Sequence, residues 1–374
     1  MKLSLLAFFF ALLCAIPFAS HAQDASAQPD PNQEEIDYLE KARVTEVKPL
    51  ATSTEQWSGI QLPEQMVTVT VLEGHDMGTS TTFMNNYTQV KPGQLVYVRH
   101  TTGGFSADMW SISDLYRIPV LIAAAIAFVI LLLLFGGFQG LRGLVSLVGS
   151  FILIFYILIP NIYAGHSPIL ISIGVASLII VLGSYVTHGF NRTTTVAMVG
   201  MIATVLVVGA GTYIAIHAAH LSGFTTEENA YLNLGTGGKI DMLGLLFGGI
   251  MIGLLGVLYD IAIGQAVTVE ELVTAGAHYT RRQVFVRSMR VGREHIGALV
   301  NTLAIAYVGA SLPILLLFKN SGTTVTYVIN SERFATEIIR ILMGSIGLVL
   351  AVPITTLLAT YVLYKYKRAK ESNT

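Results

Sequence analysis

Charge is the scarcest ingredient of this 374-residue chain: Asp, Glu, Lys and Arg together make up 12% of it, against roughly 25% in soluble domains. Hydrophobic residues reach 53% and the mean hydropathy is +0.64. That balance excludes a disordered chain, an ordinary cytosolic enzyme and a nucleic-acid binder with a basic face. Cysteine is nearly missing, with Cys14 as its single instance, so disulfides and thiolate metal sites are excluded downstream of it. No Walker loop, Rossmann glycine pattern, H-E-x-x-H or nucleophile elbow occurs, so neither an enzyme nor a cofactor is expected.

What is present falls into two physically different halves. Residues 23–117 carry thirteen acidic against six basic residues, and residues 118–374 carry ten against fifteen. Residues 1–22 read as a secretory signal peptide: Lys2, an apolar stretch from Leu3 to Phe18, and Ser20-His21-Ala22 as the cleavage site. An uncleaved anchor is the alternative. Residues 23–34 are polar with two prolines and read as a disordered leader. From residue 35 to 117 the pattern is that of short strands. Val67, Val69 and Val71 alternate with Thr68, Thr70 and Leu72, Lys91-Pro92-Gly93 makes a turn before Leu95–Val98, and Met109–Ile112 follows a glycine break. A small exported barrel, OB-like or SH3-like, is expected, with a short helix over Gln33–Lys41. His75, Asp76 and His100 are the residues of this half that could ligate a metal, although each sits beside a turn, where solvated polar residues are ordinary.

The second half reads as an α-helical polytopic membrane domain over 118–364. Its apolar stretches lie near 118–138, 141–160, 168–187, 193–217, 241–264, 297–318 and 340–363, each close to the ~20 residues that cross a bilayer. A basic tail, 365–374, follows. With the β-domain exported, the inward segments and their flanks hold eleven Lys and Arg, and the outward loops hold four: Lys239, Lys319, Arg333 and Arg340. The bias places the C-terminus on the cytoplasmic side of the membrane that the seven spans cross. Residues 265–296 read as a long inner loop. In it Arg281, Arg282, Arg287, Arg290 and Arg293 form a basic amphipathic segment suited to anionic inner-leaflet lipids.

Several long motifs in this half occur in an order that is similar to one known family. FGGFQGLRGLVSL, THGFNRTTTVAMVG, HLSGFTTEENAYL, a glycine-rich span ending in LYDIAIGQA, MRVGREHIGALVNTLAIAYVGASLPILLL and NSERFATEIIRILMGSIGLVLAVPIT resemble the YibE/F-like family of bacterial membrane proteins. EGHDMGTSTTFMNN and VKPGQLVYV extend the resemblance into the exported half. It implies a polytopic inner-membrane architecture with an exported N-terminal domain, and it implies no activity. Gly264-Gln265 stand where small hydroxyl residues are expected.

Ionisable groups at membrane depth cost at least ~2.5 kcal/mol at a span's centre, so each calls for a reason. Asp260 lies deep in the fifth span, and Asn301 enters the sixth from the same side. Glu294, Arg293, His188 and Arg192 are near the inner ends of spans. The six are expected to gather as a transport or proton site, or as a satisfied structural network. An outer polar cluster is expected from Asn330, Glu332, Arg333, Glu337 and Arg340, with Glu337 and Arg340 paired three residues apart. His217 and His220 share that spacing beside an acidic loop. The glycines Gly244, Gly248, Gly249 and Gly253 form two small-xxx-small pairs for close helix packing, or line a solute path. Two functions follow: a secondary transporter or channel for a small solute or ion, or a membrane scaffold whose exported domain binds a protein or ligand. A homo-oligomer or a partner membrane protein is compatible with either.

Overall fold

The computed structural model describes residues 36–50, 53–54, 61–62, 64–103, 108–276, 278–320 and 322–371. The expected signal peptide and leader lie outside these residues. The chain divides into two compact units, Met1–Ala127 and Phe128–Thr374.

In the first unit, strand β1 (Ile36–Pro49) is the hub. It pairs antiparallel with β4 (Gln65–Glu73) on one side and β6 (Leu95–Thr102) on the other. Strands β5 (Ser80–Asn85) and β7 (Met109–Leu115) are the edges, giving the order β5-β4-β1-β6-β7. A separate two-residue ladder joins β2 (Ser53–Thr54) to β3 (Gln61–Leu62). Val67, Val69 and Val71 all point inward, with Ala42, Val44, Val96, Val98 and Ile112, so the alternation in the sequence does set the buried face. Register shifts at Lys41/Ala42, Val44/Glu46 and Tyr97/Val98 bend the strands. The sheet curls into a half-barrel without β5 pairing to β7. The helix expected over Gln33–Lys41 is corrected by this sheet: from Ile36 onward the segment is strand, because pairing with β6 from Ile36↔Thr102 to Arg43↔Leu95 outweighs local propensity.

From Ile118 onward the described chain is helical, and its first helix runs across the boundary between the two units. An apolar run begins at Ile118 as α1 (Ile118–Leu153), passes through a π turn at Ile154–Leu158 and ends as α2 (Ile159–Tyr163). Gly137 breaks it, with φ 53° and ψ −138°. A Cβ on Gly140 would fall 2.7 Å from the carbonyl oxygen of Leu132, whereas residues eight apart in a straight helix are separated by ~12 Å. The run is therefore sharply folded there. Beyond the break it packs on α3 (Pro168–His188): Gln139 Nε2 donates to the Thr187 carbonyl at 3.2 Å, and Leu158 and Ile162 share a cluster with Val175.

The remaining elements are α4 (Arg192–Ala218), α5 (Glu227–Gly235), α6 (Met242–Ala275), α7 (Arg281–Ala310), α8 (Leu312–Asn320), α9 (Val325–Asn330) and α10 (Glu332–Glu371). Five of the helical segments are long and apolar enough to cross a membrane, or six if α7 and α8, bent by 61°, count as one span. The expected seven differ from this chiefly because 118–138 and 141–160 belong to one 46-residue run. The expected long inner loop is also corrected. Helix α6 runs on to Ala275 and α7 starts at Arg281, where the Thr280 hydroxyl and the Gln283 side chain form a capping box. The basic segment is the first half of α7 and continues without interruption into the apolar half.

Helix α6 is the core element. Its Phe247, Met251, Leu258, Ala262 and Ala266 are fully buried. Helix α10 packs along it and along α4 and α7, with small residues at the crossings: Gly200 against Thr355, Gly347 against Leu254, Gly292 against Val352.

Candidate functional site

The glycine pairs of α6 part ways. Gly244 and Gly248 lie against Pro168 and Ser172 of α3, where an added Cβ would collide. Gly249 and Gly256 meet nothing within 4 Å, and Gly253 meets only the Tyr307 hydroxyl, 3.1 Å from where a Cβ would sit. Asp260 continues this second face. It follows the buried Leu258 by two residues, a rotation of about 200° around the helix, and is exposed. Among the described residues no hydrogen bond or ion pair reaches its carboxylate.

The other expected members of an inner cluster are engaged elsewhere. Arg192 stacks over the Tyr366 ring, 3.1 Å from its centroid. The His188 imidazole sits 3.3 Å from Gln139 Nε2 and 5.9 Å from the Tyr259 ring. Arg293, Glu294 and Asn301 are exposed on α7. No hydrogen bond or ion pair joins Asp260 to any of them among the described residues. What Asp260 and Asn301 do share is depth. Tyr307 lies beside Gly253 and Gln265 lies beside Gly292. Interpolating between those two contacts along antiparallel α6 and α7 puts Asn301 within about one turn, ~5 Å, of the level of Asp260.

In the cluster expected on the outer side, one Glu332 carboxylate oxygen accepts from the Ser222 amide (2.6 Å), the Ser222 hydroxyl (2.7 Å) and the Gly223 amide (3.1 Å). Glu337 and Arg340 lie 3.5 Å apart, while Asn330 stays exposed at the end of α9. Glu332 thus acts as a clasp between the α4–α5 loop and the start of α10, separately from the Glu337–Arg340 pair.

Two arrangements involve residues noted in the sequence but with partners that the sequence did not indicate. The first surrounds Gln265, which is completely buried. Its Nε2 donates to the Ser288 carbonyl and to Thr356 Oγ1, both at 2.8 Å, tying α6, α7 and α10 together. Among the described residues its Oε1 and the Ser288 hydroxyl find no hydrogen-bond partner. The signal was an amide in place of a small hydroxyl five residues past Asp260, and Gly292 supplies the room for it.

The second lies in the β-sheet unit. His100 Nδ1 is 2.5 Å from Asp76 Oδ2, and its Nε2 is bonded to Asp108 Oδ1. Tyr38 stacks on His75, whose ring nitrogen is 3.2 Å from Asp76. The buried Glu40 accepts from the Asp76 amide at 2.8 Å. Burial works against the His100 cation, but the bonds to Asp108 and Asp76 outweigh it and hold its pKa above the ordinary histidine value. Burial likewise opposes the Asp76 anion, and the bonds from His75 and His100 nevertheless keep that carboxyl below its ordinary value. Both ring nitrogens of His100 are occupied by carboxylates. Among the described residues no group of three or more His, Cys, Asp or Glu side chains is placed to hold a metal, His217 and His220 included.

Compared with known proteins, the chain matches no curated protein and no solved structure. Residues 124–365, which hold the broken helix, the glycine face, Asp260, Asn301 and the Gln265 network, match the family model described as YibE/F-like protein. That match spans well over half the sequence, and the chain belongs to the YibE/F-like family.

Proposed function

We propose that this membrane protein is a secondary transporter or channel of the bacterial inner membrane, moving a small solute or ion past Asp260. The observation that carries the reading is the common depth of Asp260 and Asn301 on adjoining helices, beside the open backbone of Gly249, Gly253 and Gly256. A carboxylate at that level is tolerable only where protein or water meets it. In the proposed topology, helices over 118–136 and 138–163 cross separately on either side of Gly137, α7 and α8 cross as one bent span, and seven crossings result. The β-domain is exported, and the C-terminus is cytoplasmic.

The inner ends of the helices meet anionic lipid. Grooves there are lined by Arg281, Arg282, Phe285, Leu357 and Thr360, about 370 Å³ in volume, and by Arg282, Arg287 and Arg290. Guanidinium groups above apolar walls suit a phosphate headgroup with its acyl chain. The test of the transport reading is flux of protons and monovalent cations into liposomes containing the purified protein. Flux that Asp260→Asn abolishes supports it. No flux above empty liposomes for any of these ions, with correctly inserted protein, argues for the second reading. That reading is a scaffold whose exported sheet docks a partner, and the exposed Leu39, Met77, Met84 and Met109 favour it.

A further inference from the structure

We infer that a second copy of this chain covers the outward face of α6 and α7, and that Asn301 of each copy answers Asp260 of the other. The face carries Gly249, Gly253, Gly256 and Asp260 on α6 and Gly297 and Asn301 on α7, all exposed in the single chain. Gly249, Gly256 and Gly297 have open space where a Cβ would be. Glycines alone would mark only a place where a backbone can approach. The polar pair says more. An exposed carboxylate and an exposed carboxamide at membrane depth are both costly against hydrocarbon, and among the described residues neither is bonded within its own chain.

Symmetry then narrows the occupant. Two copies inserted with the same orientation are related by a two-fold axis along the membrane normal, which preserves depth. A group can therefore meet only groups at its own level on the partner. Asp260 and Asn301 lie within about one turn, ~5 Å, of one level, within reach of two short side chains; one accepts hydrogen bonds and the other donates, and the operator makes the bond twice. The glycines let the two α6 backbones come close enough for these short side chains to reach. The inference concerns the same Asp260 site and rests on the transport reading only for what the closed groove would carry.

Cysteine cross-linking in native membranes tests it, because Cys14→Ser makes the chain cysteine-free. Gly256→Cys on that background fits without collision, and mild oxidation is expected to give a disulfide-linked dimer. Leu206→Cys, 52% exposed on α4, is expected to stay monomeric. The unmodified protein should weigh as a dimer in lipid nanodiscs, and Asn301→Leu should weaken that dimer about eightfold, the effect of two interhelical hydrogen bonds of ordinary strength. A monomeric mass, a dimer that Gly256→Cys fails to cross-link, a cross-link to a different protein, or a bond formed within one chain to Leu131→Cys on α1 each overturns the inference. A dimer without Asp260-dependent flux removes the transport reading and leaves the interface standing. Flux from a monomer does the reverse.

Discussion

Trp110 lies flat on His100, with ring centroids 3.9 Å apart and planes 11° from parallel. The two are cross-strand partners of β6 and β7, so the sheet itself holds the indole over the imidazole. With Asp76 and Asp108 at its two nitrogens, His100 is clamped between carboxylates that favour its protonated form. The Glu73–Gly78 turn and the β7 hairpin are tied together through it.

This clamp makes stability depend on pH in a definite direction. The folded pKa of His100 is raised, so its contribution is fully present below the unfolded value of about 6.5 and is lost as pH climbs through the folded value. The folded pKa of Asp76 is lowered, so its contribution is present above about 3.9 and is lost as pH falls through the folded value. Thermal midpoints of the β-sheet unit should be highest between those limits. In a Trp57→Phe chain, Trp110 emission should rise as the quenching imidazolium deprotonates, at a pH above that of free histidine. Unchanged emission from pH 6 to 9, or a curve matching that of His100→Gln, would contradict the clamp.

Gly292 is expected to be intolerant of a methyl group. A Cβ there would strike Val352 Cγ1 and come 3.0 Å from Gln265 Oε1, so Gly292→Ala should cost about 1–3 kcal/mol by overpacking. Gly174→Ala, with open space on α3, is the matched control and should be neutral. Thermal denaturation of the two variants in detergent decides the matter, and equal midpoints would remove the tight three-helix junction.

Topology is open to reporter fusions. Fusions after Gly104 should report outside, and fusions after Gly140 and after Thr374 should report inside, because the stretch from Ile118 to Gly137 crosses by itself. A reporter after Gly140 found outside would mean that the broken helix crosses once or enters and leaves on one side.

Asp260→Asn keeps the shape of the side chain and removes its charge. Since Asp260 has no ion partner among the described residues, the change strands no arginine, and yield and thermal midpoint should stay near those of the parent while flux falls to background. Had the carboxylate been paired, breaking a buried pair would cost ~3–5 kcal/mol and yield would drop too. A variant with normal stability and normal flux would retire Asp260 as a site.

How far the sequence reaches can be judged element by element. The Val67–Val71 alternation, the spans over 168–187 and 193–217 and the packing role of Gly244 and Gly248 were readable, because each follows from local periodicity. Strand β1 was missed at Ile36–Lys41, since its conformation comes from neighbours about sixty residues away. The helical ends of α6 and α7 were missed because hydropathy marks where apolar residues stop, while caps such as Thr280 mark where helices stop. For the site, the depth of Asp260 and Asn301 could be counted along the helices. Which way Asp260 points could not, because that depends on which face of α6 takes the larger neighbours. The Gln265 network and the Asp108 bond to His100 depend on contacts between distant segments, and no spacing announces them.

The clasp at Glu332 has a consequence for biogenesis. Helix α10 is held at one end by Ser222 and Gly223, 110 residues earlier, and at the other by Lys367, which donates to the Val273 carbonyl at 2.5 Å. Helices α4, α6 and α7 each lay a face against it, and all three leave the ribosome before it does. During synthesis they wait in the bilayer with a common wall missing, exposing Thr355's and Thr356's future partners to lipid. A chain that stalls short of residue 332 is therefore expected to leave those faces uncovered, and arrival of α10 is the step expected to close them.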